Sequence, residues 1–239
     1  MVKKKVEPES SLDQKSVPGK AVLFELENFA VKGRLVVFDV LKKLLSGEGI
    51  DLTLPMFARY CSHPSAKYFV PMMLKMDGKS KVAESKLIAE ATDAISQAFT
   101  GGSLKLESGV TRLLKAMAEE KVSVAALSSL ADETARQLSA KLGLVDGGVS
   151  LLAYPSHDKN FPSADAWLKL AKRISVPPAC CVVVATSSVS CKAALSAGMR
   201  CVVVPDKFTA VQDFGGADHV SAEFDDAAIA HIMELLKAS

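Results

Sequence analysis

Five short apolar runs, at 21–26, 122–127, 149–154, 180–185 and 200–204, constrain this chain more than any other feature. Most are continuous rather than alternating. A strand with one face in water alternates apolar and polar residues, whereas a continuous run marks a strand covered on both faces, as in a parallel sheet. Amphipathic helical patterns lie between the later runs. Val110, Leu113, Leu114 and Met117 share one face of a helix that begins after Ser108 and Gly109. Ala135, Leu138 and Leu142 form another, closed by Gly143. Trp167, Leu168, Leu170, Ala171 and Ile174 give a third, started through Ser163. Residues 187–197 give a fourth, stopped by Gly198, and Ile229, Ile232, Leu235 and Leu236 give the last. Strand then helix, repeated from residue 108 to the end, predicts an α/β fold with a doubly wound, Rossmann-like parallel sheet.

Residues 33–105 break that rhythm. Helical patterns at 36–45, 54–60, 68–75 and 83–99 follow one another without a strand, and read as a helical cap inserted after the first strand. The Gly33 region and Gly101–Gly102 are the expected hinges. The α/β core is then 20–32 together with 106–239, and residues 1–19 read as a mobile basic tail. The whole chain carries 29 Lys+Arg against 27 Asp+Glu, a net charge of +2. Lys3, Lys4, Lys5, Lys15 and Lys20 against Glu7, Glu9 and Asp13 account for all of that excess. The core is therefore neutral and lacks the concentrated basic field a nucleic-acid binder needs.

No run approaches the ~18 uninterrupted apolar residues that span a bilayer. The charged N-terminus has no apolar segment behind it, which points away from secretion. Five Cys with no CxxC spacing, three of them in or beside apolar runs, read as small buried hydrophobes. A reduced, cytoplasmic protein with no membrane partner is expected.

Ligands of an open parallel sheet bind at the carboxyl ends of its strands. The residues there are Glu25 to Ala30, Ser128 and Ser129, Ser156 to Pro162, and Thr186 to Ser188. Glu25 and Glu27 share one side of the first strand by its period of two. Buried carboxylates without partners are costly, so Lys or hydroxyl neighbours, or a solvated cleft, are expected beside them. Thr186, Ser187 and Ser188 precede a helix whose backbone N–H groups suit an anion, although the hydroxyls of Ser187 and Ser188 are expected first as helix caps. His63, His157, His219 and His231 have no metal-ligand spacing. Ser128 with His157 and Asp158 lacks the GxSxG elbow of a hydrolase triad.

Several short segments stand along the chain in this order: Ile50-Asp51-Leu52-Thr53, Ser108-Gly109-Val110, Lys141-Leu142-Gly143-Leu144, Pro162 with Asp165 and Trp167, and Lys192-Ala193-Ala194 with Ala197-Gly198-Met199. In these, over roughly residues 20–237, the chain resembles the haloacid dehalogenase-like (HAD) hydrolase superfamily. The similar branch is the helical-cap one that includes beta-phosphoglucomutase and phosphoglycolate phosphatase. That resemblance implies a first motif Asp-x-Asp-Gly-Thr, whose columns here read Glu25-Leu26-Glu27-Asn28-Phe29. Glu25 stands in the column of the nucleophile and Glu27 in that of the acid/base. Each is longer by a methylene, and about 1 Å of misplacement already costs ~10²-fold. The implied Mg²⁺-holding acids fall on Ala185 and Thr186, neither of them a carboxylate, although Mg²⁺ usually takes carboxylate oxygens. The implied phosphate-binding hydroxyl falls on Ser128, with Ser129 beside it. The column of the phosphate-binding Lys falls on Phe161, and a two-residue shift brings in Lys159.

The resemblance thus implies a HAD-like protein with decayed phosphotransferase motifs, non-catalytic or very weak, with no resident cofactor and a phosphorylated small molecule as its ligand. One alternative is an active phosphatase or phosphomutase with Glu25 as nucleophile and Glu27 as acid/base. There Asp158 or Asp206 would rebuild a Mg²⁺ site. The other is an interaction module whose cap binds a protein partner.

Overall fold

The computed structural model describes residues 19–61, 65–77, 83–102, 104–154 and 161–238. The basic tail and the loop carrying His157, Asp158 and Lys159 lie outside the described residues, as does His63. In chain order come β1 (Ala21–Glu25), α1 (Gly33–Gly47), α2 (Leu54–Tyr60), α3 (Ala66–Asp77), α4 (Glu84–Gly101), α5 (Ser108–Glu119) and β2 (Ser123–Ser128). Then follow α6 (Asp132–Lys141), β3 (Ser150–Ala153), α7 (Ala164–Arg173), β4 (Cys181–Ala185), α8 (Ser188–Ser196), β5 (Arg200–Val203), β6 (His219–Val220) and α9 (Asp226–Lys237).

The strands form one sheet in the order β3-β2-β1-β4-β5-β6, and every neighbouring pair is parallel. β1 is central, with Phe24 opposite Ala126 on one side and Val184 on the other. Its continuous apolar run has the cause expected of it. Val22 and Phe24 enter a core shared with Leu113 of α5, Leu138 of α6 and Ile232 of α9. Ala21 and Leu23 enter a second core with Trp167 and Leu170 of α7 and Ala194 of α8. The helix ends follow the sequence as well. Ser163 caps α7 by accepting from the Ala166 N–H at 3.3 Å, and Gly143 and Gly198 take positive φ (70° and 73°) just past α6 and α8.

Two differences from the sequence reading bear on the site. The first strand stops at Glu25, not residue 26, and Leu26–Ala30 form a single π-helical turn. Leu26 extends the apolar run because it is buried in the turn, not because it is in the strand. The sheet also gains β6, two residues long with Val220 half-exposed, too short to leave an apolar run.

Helices α1 to α4 form the insertion between β1 and α5. Their apolar faces join the first core through Phe38, Leu41, Phe57, Phe69 and Leu87. Phe208, in the segment after β5, fixes them to the sheet: its ring centroid lies 4.8 Å from that of Phe57 and 5.7 Å from that of Phe38. Such tilted aromatic pairs contribute about 0.5–1.5 kcal/mol beyond the area they bury. At the other junction α1 starts hard against the π-helical turn. A Cβ on Gly33 would lie 2.0 Å from the Glu27 carbonyl oxygen, so only glycine allows this approach.

Candidate functional site

The strand order reverses at β1, which has β2 on one side and β4 on the other, so a crevice opens over the carboxyl ends of β1 and β4. Glu25 is the last residue of β1 and is 3 % exposed. Its Oε1 accepts from the Thr186 hydroxyl at 3.1 Å and the Thr186 N–H at 3.4 Å. Its Oε2 accepts from Asn28 Nδ2 at 3.0 Å.

Glu27 does not share a strand face with Glu25, contrary to the period-two expectation, because the strand has already ended. The π-helical turn carries it to the end of β2 instead. There its Oε1 accepts the Ser129 N–H at 2.6 Å and also the Ser129 hydroxyl. Its Oε2 is buried and has no hydrogen-bond partner among the described residues. Burial pushes the Glu27 carboxyl above the usual carboxylate range, and the Ser129 hydrogen bonds oppose that shift without cancelling it.

A residue the sequence reading overlooked ties the site together. Arg34, near the start of α1, is buried, and its Nη1 lies 2.9 Å from Asp206 Oδ2 and 3.0 Å from the Thr186 hydroxyl. Its Nη2 lies 4.0 Å from Glu25 Oε2. Asp206 is oriented in turn by the Phe208 N–H, which donates to its Oδ1 at 2.8 Å. A local signal for Arg34 did exist. A cation in the first helical turn opposes the helix dipole, so its place there implies anions packed against it.

The expected neighbours of the two glutamates are thus hydroxyls, as read, and an Arg rather than a Lys. Ser128 is fully buried, and its Oγ accepts from the Leu130 N–H at 3.2 Å; Ser129 is held by Glu27. Ser187 caps α8, accepting from the Ser190 N–H at 3.3 Å, while the Ser188 N–H donates to Gln212 Oε1 at 2.8 Å. His157, Asp158 and Lys159 lie outside the described residues. His219 and His231 stack on each other with ring centroids 3.9 Å apart and do not line the crevice.

Several donors that a parallel-sheet crevice offers an anion are therefore already engaged within the protein. The N–H groups of Thr186 and Ser129 go to Glu25 and Glu27, and that of Ser188 goes to Gln212. The residues present do not fit a Mg²⁺ ion either. Glu25, Asp206 and the Thr186 hydroxyl converge on the Arg34 guanidinium, and a second cation there would be repelled by the first.

Above these groups lies a cavity of about 120 Å³ between the helical insertion and the sheet. Val37, Phe57, Ile95 and Phe99 line it from the insertion, and Leu130, Phe161 and Val189 from the core.

Solved structures share this architecture. CbbY from Rhodobacter sphaeroides, in complex with phosphate, superposes with a TM-score of 0.73 at 18% identity over 88% of this chain and 99% of that one. A beta-phosphoglucomutase from Clostridium difficile gives 0.71 at 19% identity over 92% and 98%. A HAD hydrolase of family IA, variant 3, from Entamoeba histolytica gives 0.74 at 18% identity over 91% and 99%. No family model matches the chain, and no curated protein does. The chain therefore has the capped α/β fold of HAD-type hydrolases, at a sequence distance where the fold is what is shared.

Proposed function

We propose that this chain is a non-catalytic, small-molecule-binding representative of the capped HAD-type fold, its phosphotransferase chemistry replaced by an internally neutralised floor. The observation that carries this reading is Arg34, a buried guanidinium bonded to Asp206 and Thr186 and facing Glu25. A carboxylate nucleophile must approach a phosphoryl group that is itself anionic, and a metal ion normally offsets that repulsion. Here the positive charge belongs to a fixed side chain already paired with carboxylates. Glu27, held by Ser129 with its carboxyl pushed up by burial, is turned toward β2 rather than toward a leaving group near Glu25.

The active-enzyme alternative has one point in its favour, since Asp206 does reach the site as that reading requires. Its carboxylate, however, is bonded to Arg34. The two readings separate on turnover of p-nitrophenyl phosphate and a panel of sugar phosphates with Mg²⁺. No measurable hydrolysis is expected. A kcat in the ordinary range of about 1–10³ s⁻¹, lost in Glu25→Ala, would establish the active reading instead.

No helix among the described residues is long and apolar enough to cross a membrane. All five cysteines are free, which supports a reducing, cytoplasmic setting.

A further inference from the structure

Building on the non-catalytic reading, we infer that the cavity beneath the helical insertion receives an uncharged organic molecule, an apolar body bearing a carbonyl or hydroxyl group, held by Gln212 and Asn28. Three independent features converge on this ligand class.

The first is charge. The charged groups that line the cavity are Glu25, Glu27 and Arg34, and the Arg34 guanidinium is already paired with Asp206, which lies outside the lining. A phosphorylated molecule, the competing class, would bring further negative charge onto a floor that, among the described residues, has no excess of positive charge to meet it. The N–H groups of Thr186, Ser129 and Ser188 are engaged by the protein's own acceptors and are not free to compensate.

The second is the pair of uncharged polar groups left over. Gln212 Oε1 accepts from the Ser188 N–H, which fixes the orientation of that amide and leaves its NH₂ without a partner among the described residues. Asn28 Nδ2 donates to Glu25, which fixes that amide too and leaves its carbonyl oxygen, on the side of Gly33, without a donor among the described residues. Both side chains line the cavity. One residue thus has an unused donor and the other an unused acceptor among the described residues, both neutral.

The third is the wall. Phe57, Phe99, Ile95 and Phe161 supply aromatic and aliphatic surface on several sides. A volume of about 120 Å³ falls short of the about 150 Å³ apolar cavity that accepts benzene, so one ring is the upper limit of what it seats. An apolar wall with a few placed polar groups is the usual build of a small-molecule site.

A matched pair of probes tests the inference on the full chain: benzamide, an uncharged ring with one amide, and phenyl phosphate, the same ring with a dianion. Saturation-transfer NMR and titration are expected to show benzamide bound at least about tenfold more tightly, the sense expected for anion repulsion at the floor. Val189→Trp should abolish that binding, because Val189 borders the cavity yet is 42% exposed and tolerates a larger side chain. Equal or tighter binding of phenyl phosphate would overturn the inference. So would absence of benzamide binding up to its solubility limit, or binding that Val189→Trp leaves intact; in each of these cases the non-catalytic reading stands. Phenol appearing in the phenyl phosphate sample would remove the non-catalytic reading, and this inference with it.

Discussion

Arg34 Nη1 lies 2.9 Å from Asp206 Oδ2, which joins the first turn of α1 to the segment after β5 across 172 residues of sequence. The guanidinium side chain is 9% exposed and the carboxylate 34%. With Glu25 on its other side, Arg34 is the cation on which three elements of the fold depend.

Arg34→Met should be costly for that reason. Removing one member of a buried ion pair leaves the other desolvated, at a cost of about 3–5 kcal/mol. Partial exposure of Asp206 moves the expectation to the low end of that range. Adding Glu25→Gln to Arg34→Met should recover part of the loss, because one of the stranded carboxylates is then neutral. Urea unfolding of the wild type, both single variants and the double variant measures this. A loss below about 1 kcal/mol for Arg34→Met would mean that the guanidinium is solvated and the cluster is not a unit.

The same cation governs whether metal chemistry can be restored. Glu25→Asp, Glu27→Asp, Ala185→Glu and Thr186→Asp together place carboxylates where the resemblance expects them. With Arg34 present, calorimetry with Mg²⁺ should register no binding, since the guanidinium lies among the same oxygens. Adding Arg34→Ala to the four should make Mg²⁺ binding measurable. If the fourfold variant alone binds Mg²⁺, the guanidinium does not block a cation.

Glu27 sets a dependence on pH whose sign is fixed by its environment. Burial raises its pKa in the folded state, so between the unfolded value and the raised folded value the native protein holds more protons than the unfolded one. Its contribution is therefore fully present below the unfolded pKa and is lost as pH rises through the folded pKa. One such group gives a slope of at most about 1.4 kcal/mol per pH unit. Glu27→Gln, which still offers an oxygen to Ser129, should remove this part of the slope. Denaturation midpoints from pH 5 upward test it, and superimposable profiles for the two proteins would refute it.

What the sequence revealed follows from the range of the interactions. The five runs were readable because a strand covered on both faces needs apolar residues at every position, as Val22 and Leu23 of β1 illustrate on opposite faces. The caps at Ser163 and Ser187 and the glycines after α6 and α8 were readable because each is local chemistry over three or four residues. The π-helical turn was hidden because buried Leu26 looks the same in a turn as in a strand. The pairing of Arg34 with Asp206 was hidden because nothing near either residue encodes the other. Glu25 and Ser128 were legible as strand ends, but only Glu25 lines the cavity, while Ser128 is fully buried. Their partners Thr186, Asn28 and Leu130 appear only once the turns are built.

Gly33→Ala gives the most direct check on how closely this site is built into the fold. Within a helix such a change ordinarily stabilises by about 1 kcal/mol. Here the new Cβ would lie 2.0 Å from the Glu27 carbonyl oxygen and 2.7 Å from its carbonyl carbon, and neither is the tip of a flexible side chain. Either α1 must withdraw, taking Arg34 with it, or the π-helical turn must shift, taking Glu27 with it. A net destabilisation of about 1–3 kcal/mol is expected, the range for overpacking a close-packed contact. A double-mutant cycle of Arg34→Met with Asp206→Asn, run in the Gly33→Ala background, separates the two routes. Withdrawal of α1 weakens the Arg34–Asp206 coupling, whereas movement of the turn preserves that coupling and alters the pH slope set by Glu27. A Gly33→Ala protein as stable as the wild type, with both properties unchanged, would show that the start of α1 and the turn do not meet as described.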